Sequence, residues 1–150
     1  MTEEQIYSRM MALCSRREYC KSEIAAKITA LSEEVDATAM IGRLCEERFI
    51  DENRYAAAFV RDKSRLAGWG EMKIRYALQR KGLDKETIAA AMEEIDQDGQ
   101  MERLTKMMTA KVKALKDATP DEKRSKLMRF ATSRGFTYAQ ADEAYRIISR

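Results

Sequence analysis

The side chains best suited to chemistry in this sequence are cations, gathered in two runs. The first comprises Arg61, Lys63, Arg65, Lys73, Arg75, Arg80 and Lys81, opposed between Arg61 and Gly82 only by Asp62 and Glu71. Trp69 and Tyr76 lie among them. Arg61 and Arg65 stand four residues apart and share one helical face. Basic side chains track phosphates and aromatic rings stack on unpaired bases, so this run suits single-stranded nucleic acid. The second run is Lys111, Lys113 and Lys116, then Lys123, Arg124, Lys126, Arg129 and Arg134. Lys123, Lys126 and Arg129 follow one another at three-residue spacing, which gives one helix a basic face. Either run is also what a solvated helix surface carries; their common sign fits an anionic partner.

Catalytic chemistry finds little to work with. The chain has no histidine, the commonest general base. Cys14, Cys20 and Cys45 are odd in number and irregular in spacing, a poor disulfide framework. They form no C-x-x-C pair, so no zinc site is expected. Reduced thiols and a cytoplasmic location are the expectation, with Cys14 and Cys45 on apolar faces as core fillers. The carboxylate pairs Glu33-Glu34, Glu46-Glu47 and Glu93-Glu94 are sequence neighbours, which point to different helix faces. No phosphate-cradling glycine loop is present, and Gly68-Trp69-Gly70 is too short to be one. A protein without catalytic residues, cofactor or metal is therefore expected.

The elements that must position the cations are helices. A single proline and six glycines in 150 residues suit long helices with short connections. Apolar residues recur at helical spacing throughout: Ile6, Met10 and Leu13; Ile24, Ile28 and Leu31; Met40, Ile41, Leu44 and Cys45. Later stripes run Tyr55, Ala58, Phe59; Ile74, Ala77, Leu78; and Ile88, Met92, Ile95. The last third continues with Met101, Leu104, Met108, Val112 and Leu115, then Leu127, Phe130 and Ala131, then Ala141, Ala144, Tyr145 and Ile148. Start signals agree. Thr2 with Gln5 forms a capping-box pattern, Asp36, Asp51 or Asn53, and Thr137 are caps, and Thr119 precedes Pro120 at a first helical position. Asp96-Gln97-Asp98-Gly99 reads as a polar break, with a long helix from about Gln100 to Asp117.

The thirds are related. Lys81-Gly82-Leu83 matches Arg134-Gly135-Phe136, 53 residues on, and the same offset carries Ile74 to Leu127, Ile88 to Ala141, Met92 to Tyr145 and Ile95 to Ile148. Three three-helix units follow, over residues 1–50, 51–97 and 98–150, each resembling a helix-turn-helix. Charge is uneven among them: residues 1–50 carry seven basic and nine acidic side chains, residues 51–95 nine and eight, residues 96–150 twelve and eight. The N-terminus, Met1-Thr2-Glu3-Glu4, has neither a basic nor an apolar leader segment, and no run is long and apolar enough to span a membrane. The pattern exposes no apolar face, which makes a monomer the expectation.

At this point a resemblance becomes visible. Phe49-Ile50-Asp51-Glu52-Asn53-Arg54-Tyr55-Ala56, continued by Phe59-Val60, resembles the signature of the RecX family. Lys81-Gly82-Leu83 behind Gly68–Gly70 is similar too, as are Leu13-Cys14-Ser15-Arg16-Arg17-Glu18 and Lys21-Ser22-Glu23-Ile24. The likeness is strongest between Leu13 and Leu83. Cys20 departs from it, standing where a capping serine is expected. The resemblance implies an all-α fold of three tandem three-helix repeats in an elongated, curved arrangement. It implies a regulator of recombination and the SOS response that lies in the groove of the RecA filament on single-stranded DNA and inhibits ATP hydrolysis and strand exchange. The alternative is a helix-turn-helix transcription factor reading duplex DNA through Asp36–Glu47, Asp84–Ile95 or Thr137–Ser149. The first two expose many acids and few base-reading side chains.

Overall fold

A computed structural model describes residues 1–150. The chain is all-α, with nine helices and no strand: α1 (Glu3–Arg16), α2 (Lys21–Leu31), α3 (Ala37–Glu46), α4 (Glu52–Arg65), α5 (Glu71–Arg80), α6 (Lys85–Met92), α7 (Gln97–Lys113), α8 (Pro120–Ser133) and α9 (Tyr138–Ile148). It divides into two compact units, Met1–Phe59 with Leu78–Ala91, and Val60–Ala77 with Met92–Arg150. Helices α4 and α5 each contribute residues to both units.

Several helices begin where side chains satisfy the first free N–H groups. Thr2 Oγ1 accepts from Gln5 N–H at 3.1 Å while Thr2 N–H donates to Gln5 Oε1 at 2.8 Å, the reciprocal box the spacing predicts. Thr137 and Gln140 repeat it on α9. Asp51, rather than Asn53, caps α4, accepting from Asn53 N–H at 3.0 Å and Arg54 N–H at 3.1 Å. Cys20 holds the cap position of α2 by a different route. Its N–H donates to Glu23 Oε1 at 3.1 Å, the half of a capping box that the third helical residue supplies, and its thiol lies 3.2 Å from Ser22 Oγ.

In the first unit, Ile6, Tyr7, Met10, Ile24, Ile28, Met40, Leu44 and Ile50 form one buried cluster. In the second, Leu104, Met108, Leu127, Met128, Ala131, Phe136, Ala141 and Ala144 form another. These are the periodic stripes closing on themselves, the main source of stability for short helices. Three expectations shift. Helix α7 starts at Gln97, three residues before Gln100, with Asp96 at the cap position but its side chain making no capping hydrogen bond; it ends at Lys113, followed by turns through Ala118. Leu31, at the end of the α2 stripe, is 37% exposed instead of joining the core. Leu66, Met72 and Tyr76 are also exposed, at 84%, 59% and 58%, although the sequence pattern exposes no apolar face.

Candidate nucleic-acid interface

The second unit brings parts of the two basic runs together, and glycine makes the junction. Gly70 N–H donates to Arg134 O at 2.7 Å and Met72 N–H to Gly135 O at 3.0 Å. These bonds tie the start of α5 to the turn between α8 and α9. A Cβ on Gly70 would strike the backbone of Gly135 and Phe136, and one on Gly135 would strike Lys73. Gly135 also has φ +97°, a conformation that side-chain-bearing residues rarely adopt. The crossing is therefore built for two residues without side chains.

Cations and rings follow one another on either side of it. Lys63 Nζ lies 4.7 Å and Lys73 Nζ 4.5 Å from the centre of the Trp69 ring. The Arg134 guanidinium lies 5.1 Å and Lys111 Nζ 5.3 Å from the centre of the Phe130 ring. Lys73 touches Gly135, and Gly135 follows Arg134, so one chain of contacts runs Lys63, Trp69, Lys73, Arg134, Phe130, Lys111. Cation–π attraction of roughly 0.5–1 kcal/mol per exposed pair restrains long side chains that would otherwise sample many rotamers. Cations held ready in this way lose less entropy when they meet phosphates.

This arrangement changes the reading of the aromatic residues. Trp69 is half-buried and carries two ammonium groups, so it positions cations rather than offering a bare face to a base. Phe130, assigned to a core stripe by its spacing, is only half-buried and does the same for Lys111 and Arg134. The four-residue step from Phe130 to Arg134 is the signal that sequence reasoning passed over.

Other expected site residues have different surroundings. Lys81 Nζ pairs with Glu23 Oε2 at 3.2 Å, and Lys81 O accepts from Ser22 Oγ at 2.7 Å, both within the first unit. Burial alone would raise the Glu23 carboxyl; the Cys20 N–H and Lys81 outweigh it and hold that group below the usual carboxylate range. Arg61 lies 3.6 Å from Glu94 Oε2. Arg124 donates to Asp142 Oδ1 at 3.2 Å and to Tyr138 Oη at 3.3 Å. These contacts spend charge inside the protein. Arg65, Arg75 and Arg80 are exposed on α4 and α5, and Lys126 and Arg129 are exposed and Lys123 half-buried on α8. Of the helices weighed as duplex readers, α6 has eight residues, with Ala89 and Ala90 on its exposed face.

Nine helices, with a basic, ring-braced strip in the second unit, define an all-helical repeat protein. Residues 51–92 match the family model "RecX, second three-helix domain". Among curated relatives, the regulatory protein RecX of Xanthomonas axonopodis pv. citri is 37% identical over 97 residues, covering 64% of this chain and 59% of the relative. That of Clostridium botulinum strain Eklund 17B is 34% identical over 108 residues, covering 71% and 50%. The crystal structure of RecX from Lactobacillus salivarius superposes with a TM-score of 0.85 at 19% identity, over 97% of this chain and 96% of that one. A crystal structure of a regulatory protein RecX gives 0.87 at 22% identity, over 95% and 72%. The chain belongs to the RecX family. It spans about half to three fifths of the length of these curated relatives. No helix is long and apolar enough to cross a membrane.

Proposed function

We propose that this protein is a non-enzymatic regulator that binds RecA filaments on single-stranded DNA and inhibits their ATPase and strand exchange, thereby tuning recombination and DNA repair. The observation that carries this reading is the Gly70–Gly135 crossing, which joins two cation-braced rings into one strip. Spaced, preordered cations favour a phosphate chain. Lys63, Lys73, Lys111 and Arg134 form the centre of this interface, and Arg65, Arg75, Lys126 and Arg129 supply outlying charge. Lys81, Arg61 and Arg124 act mainly within the fold. Three repeats over residues 1–50, 51–97 and 98–150, working as a monomer in the cytoplasm, complete the proposal. Bound stoichiometrically, such a protein hinders the protomer movements that ATP hydrolysis requires.

The test is the single-stranded-DNA-dependent ATPase of the cognate RecA with rising amounts of this protein. Dose-dependent inhibition that survives excess free single-stranded DNA is the expected result. An unchanged rate with folded, helical protein would overturn the proposal.

A further inference from the structure

The first unit holds a second surface, chemically unlike the strip. Between α1 and α2 runs a shallow groove of about 240 Å³, lined by Met10 and Leu13 from α1 and Ala30 and Leu31 from α2, with Arg9 and Lys27 at its rims. Four of the six residues lining it are apolar, and Leu31 is exposed although its stripe should carry it to the core. Arg9 and Lys27 are exposed, and neither forms an ion pair. Arg9 Nη1 reaches only Met1 Sδ at 4.0 Å, and Lys27 Nζ lies 5.6 Å from the centre of the Tyr19 ring. Glu33 and Glu34, which follow Leu31, do not line the groove.

Apolar floor and cationic rims together specify an occupant. A nucleic-acid strand fits poorly: its phosphates gain nothing from Met10, Leu13 and Leu31, and the first fifty residues carry two more acidic than basic side chains. A short amphipathic protein segment fits both features. One large apolar side chain would fill the groove, and carboxylates on either side of it would meet Arg9 and Lys27. Cations beside an apolar anchor fix the register of such a segment and disfavour uncharged competitors.

We propose that the α1–α2 groove is a protein-docking site that takes an acidic amphipathic segment of the filament protein, with an apolar residue seated on Leu13 and Leu31 and flanking carboxylates on Arg9 and Lys27. This inference rests on the filament-binding reading above. It adds that the chain grips the filament through two surfaces, one for phosphates and one for protein.

The experiment compares wild type, Leu31→Glu and the double variant Arg9→Glu/Lys27→Glu, each confirmed helical by circular dichroism. Binding is measured to the cognate recombinase assembled on single-stranded DNA, and separately to a bare oligothymidylate. All altered side chains are exposed, which keeps the fold out of the outcome. At least tenfold weaker filament binding by both variants, with oligothymidylate affinity within twofold of wild type, is expected. Filament binding equal to wild type overturns the groove while leaving the filament reading intact. Wild type that fails to bind the filament overturns both. Equal losses on filament and oligothymidylate overturn it too, because the groove would then serve DNA. Leu31-dependent self-association in sedimentation, or Leu31-dependent recruitment to anionic phospholipid vesicles, would replace the segment with a second copy or a lipid surface.

Discussion

Two turns 53 residues apart, Lys81-Gly82-Leu83 and Arg134-Gly135-Phe136, share a sequence pattern and a conformation, with φ of +86° and +97° at their glycines. Their surroundings differ. A Cβ on Gly82 would meet open space, whereas one on Gly135 would collide with Lys73. The basic residues before them differ in the same sense. Lys81 is drawn into an ion pair with Glu23, while Arg134 lends its carbonyl to Gly70 and keeps its guanidinium over Phe130. A repeated turn fixes local backbone geometry, but the use made of it depends on what packs against it. One turn serves the fold; the other builds the strip.

Substitutions that add a methyl group probe this contrast most strongly. Gly135→Ala combines a left-handed backbone with a collision, and a loss of about 3 kcal/mol is expected. Gly70→Ala, which meets backbone atoms that cannot rotate away, should cost about 2 kcal/mol. Urea titration followed through Trp69, the sole tryptophan, reads both. A loss under 0.5 kcal/mol for Gly135→Ala would mean that the crossing is not tight.

The next effect is on binding rather than folding. Lys63→Ala with Lys73→Ala should weaken single-stranded DNA binding about tenfold and lower the salt slope by about 1.4, the value for two phosphate contacts on a single strand. Lys81→Ala, measured alongside, should leave that slope unchanged. Equal slopes for all three proteins would dissolve the distinction between the two turns.

Gly82→Ala comes third. With no neighbour to displace, only backbone strain remains, at about 1 kcal/mol. A cost matching that of Gly135→Ala would show that strain, not the collision, governs both turns.

The Glu23–Lys81 pair gives the smallest change. Both side chains are partly exposed, at 18% and 40%, so the pair contributes at most about 1 kcal/mol. Because the folded-state Glu23 carboxyl is held low, its contribution is present above the ordinary carboxylate range and lost as pH falls through its folded value. Lys81→Ala should therefore destabilise the protein at neutral pH and converge with wild type in acid. A constant difference across that range would mean that Lys81 acts by packing alone.

Much of this organisation is legible in the sequence. Thr2, Asp36, Thr119 and Thr137 announce helix starts, and the apolar stripes name most of the core, because both are local consequences of helical geometry. The repeat offset likewise finds the paired glycines at 82 and 135. What spacing cannot give is which long side chains are already engaged. Lys81 and Lys73 look alike in the sequence, yet one meets a carboxylate from α2 and the other an indole. Nor does periodicity find Phe130 between two cations or Leu31 outside the core. Both depend on how much of a neighbouring helix covers the stripe, which is settled by long-range packing.

The most direct test of the strip uses the cognate recombinase filament on single-stranded DNA. Its ATPase would be measured with wild type and with Lys63→Ala/Lys73→Ala/Lys111→Ala, both verified as folded. Inhibition by wild type that needs at least tenfold more of the triple variant to match is the predicted result. Equal potency of the two proteins, or no inhibition by either, would contradict the claim that the cation-braced rings form the binding surface.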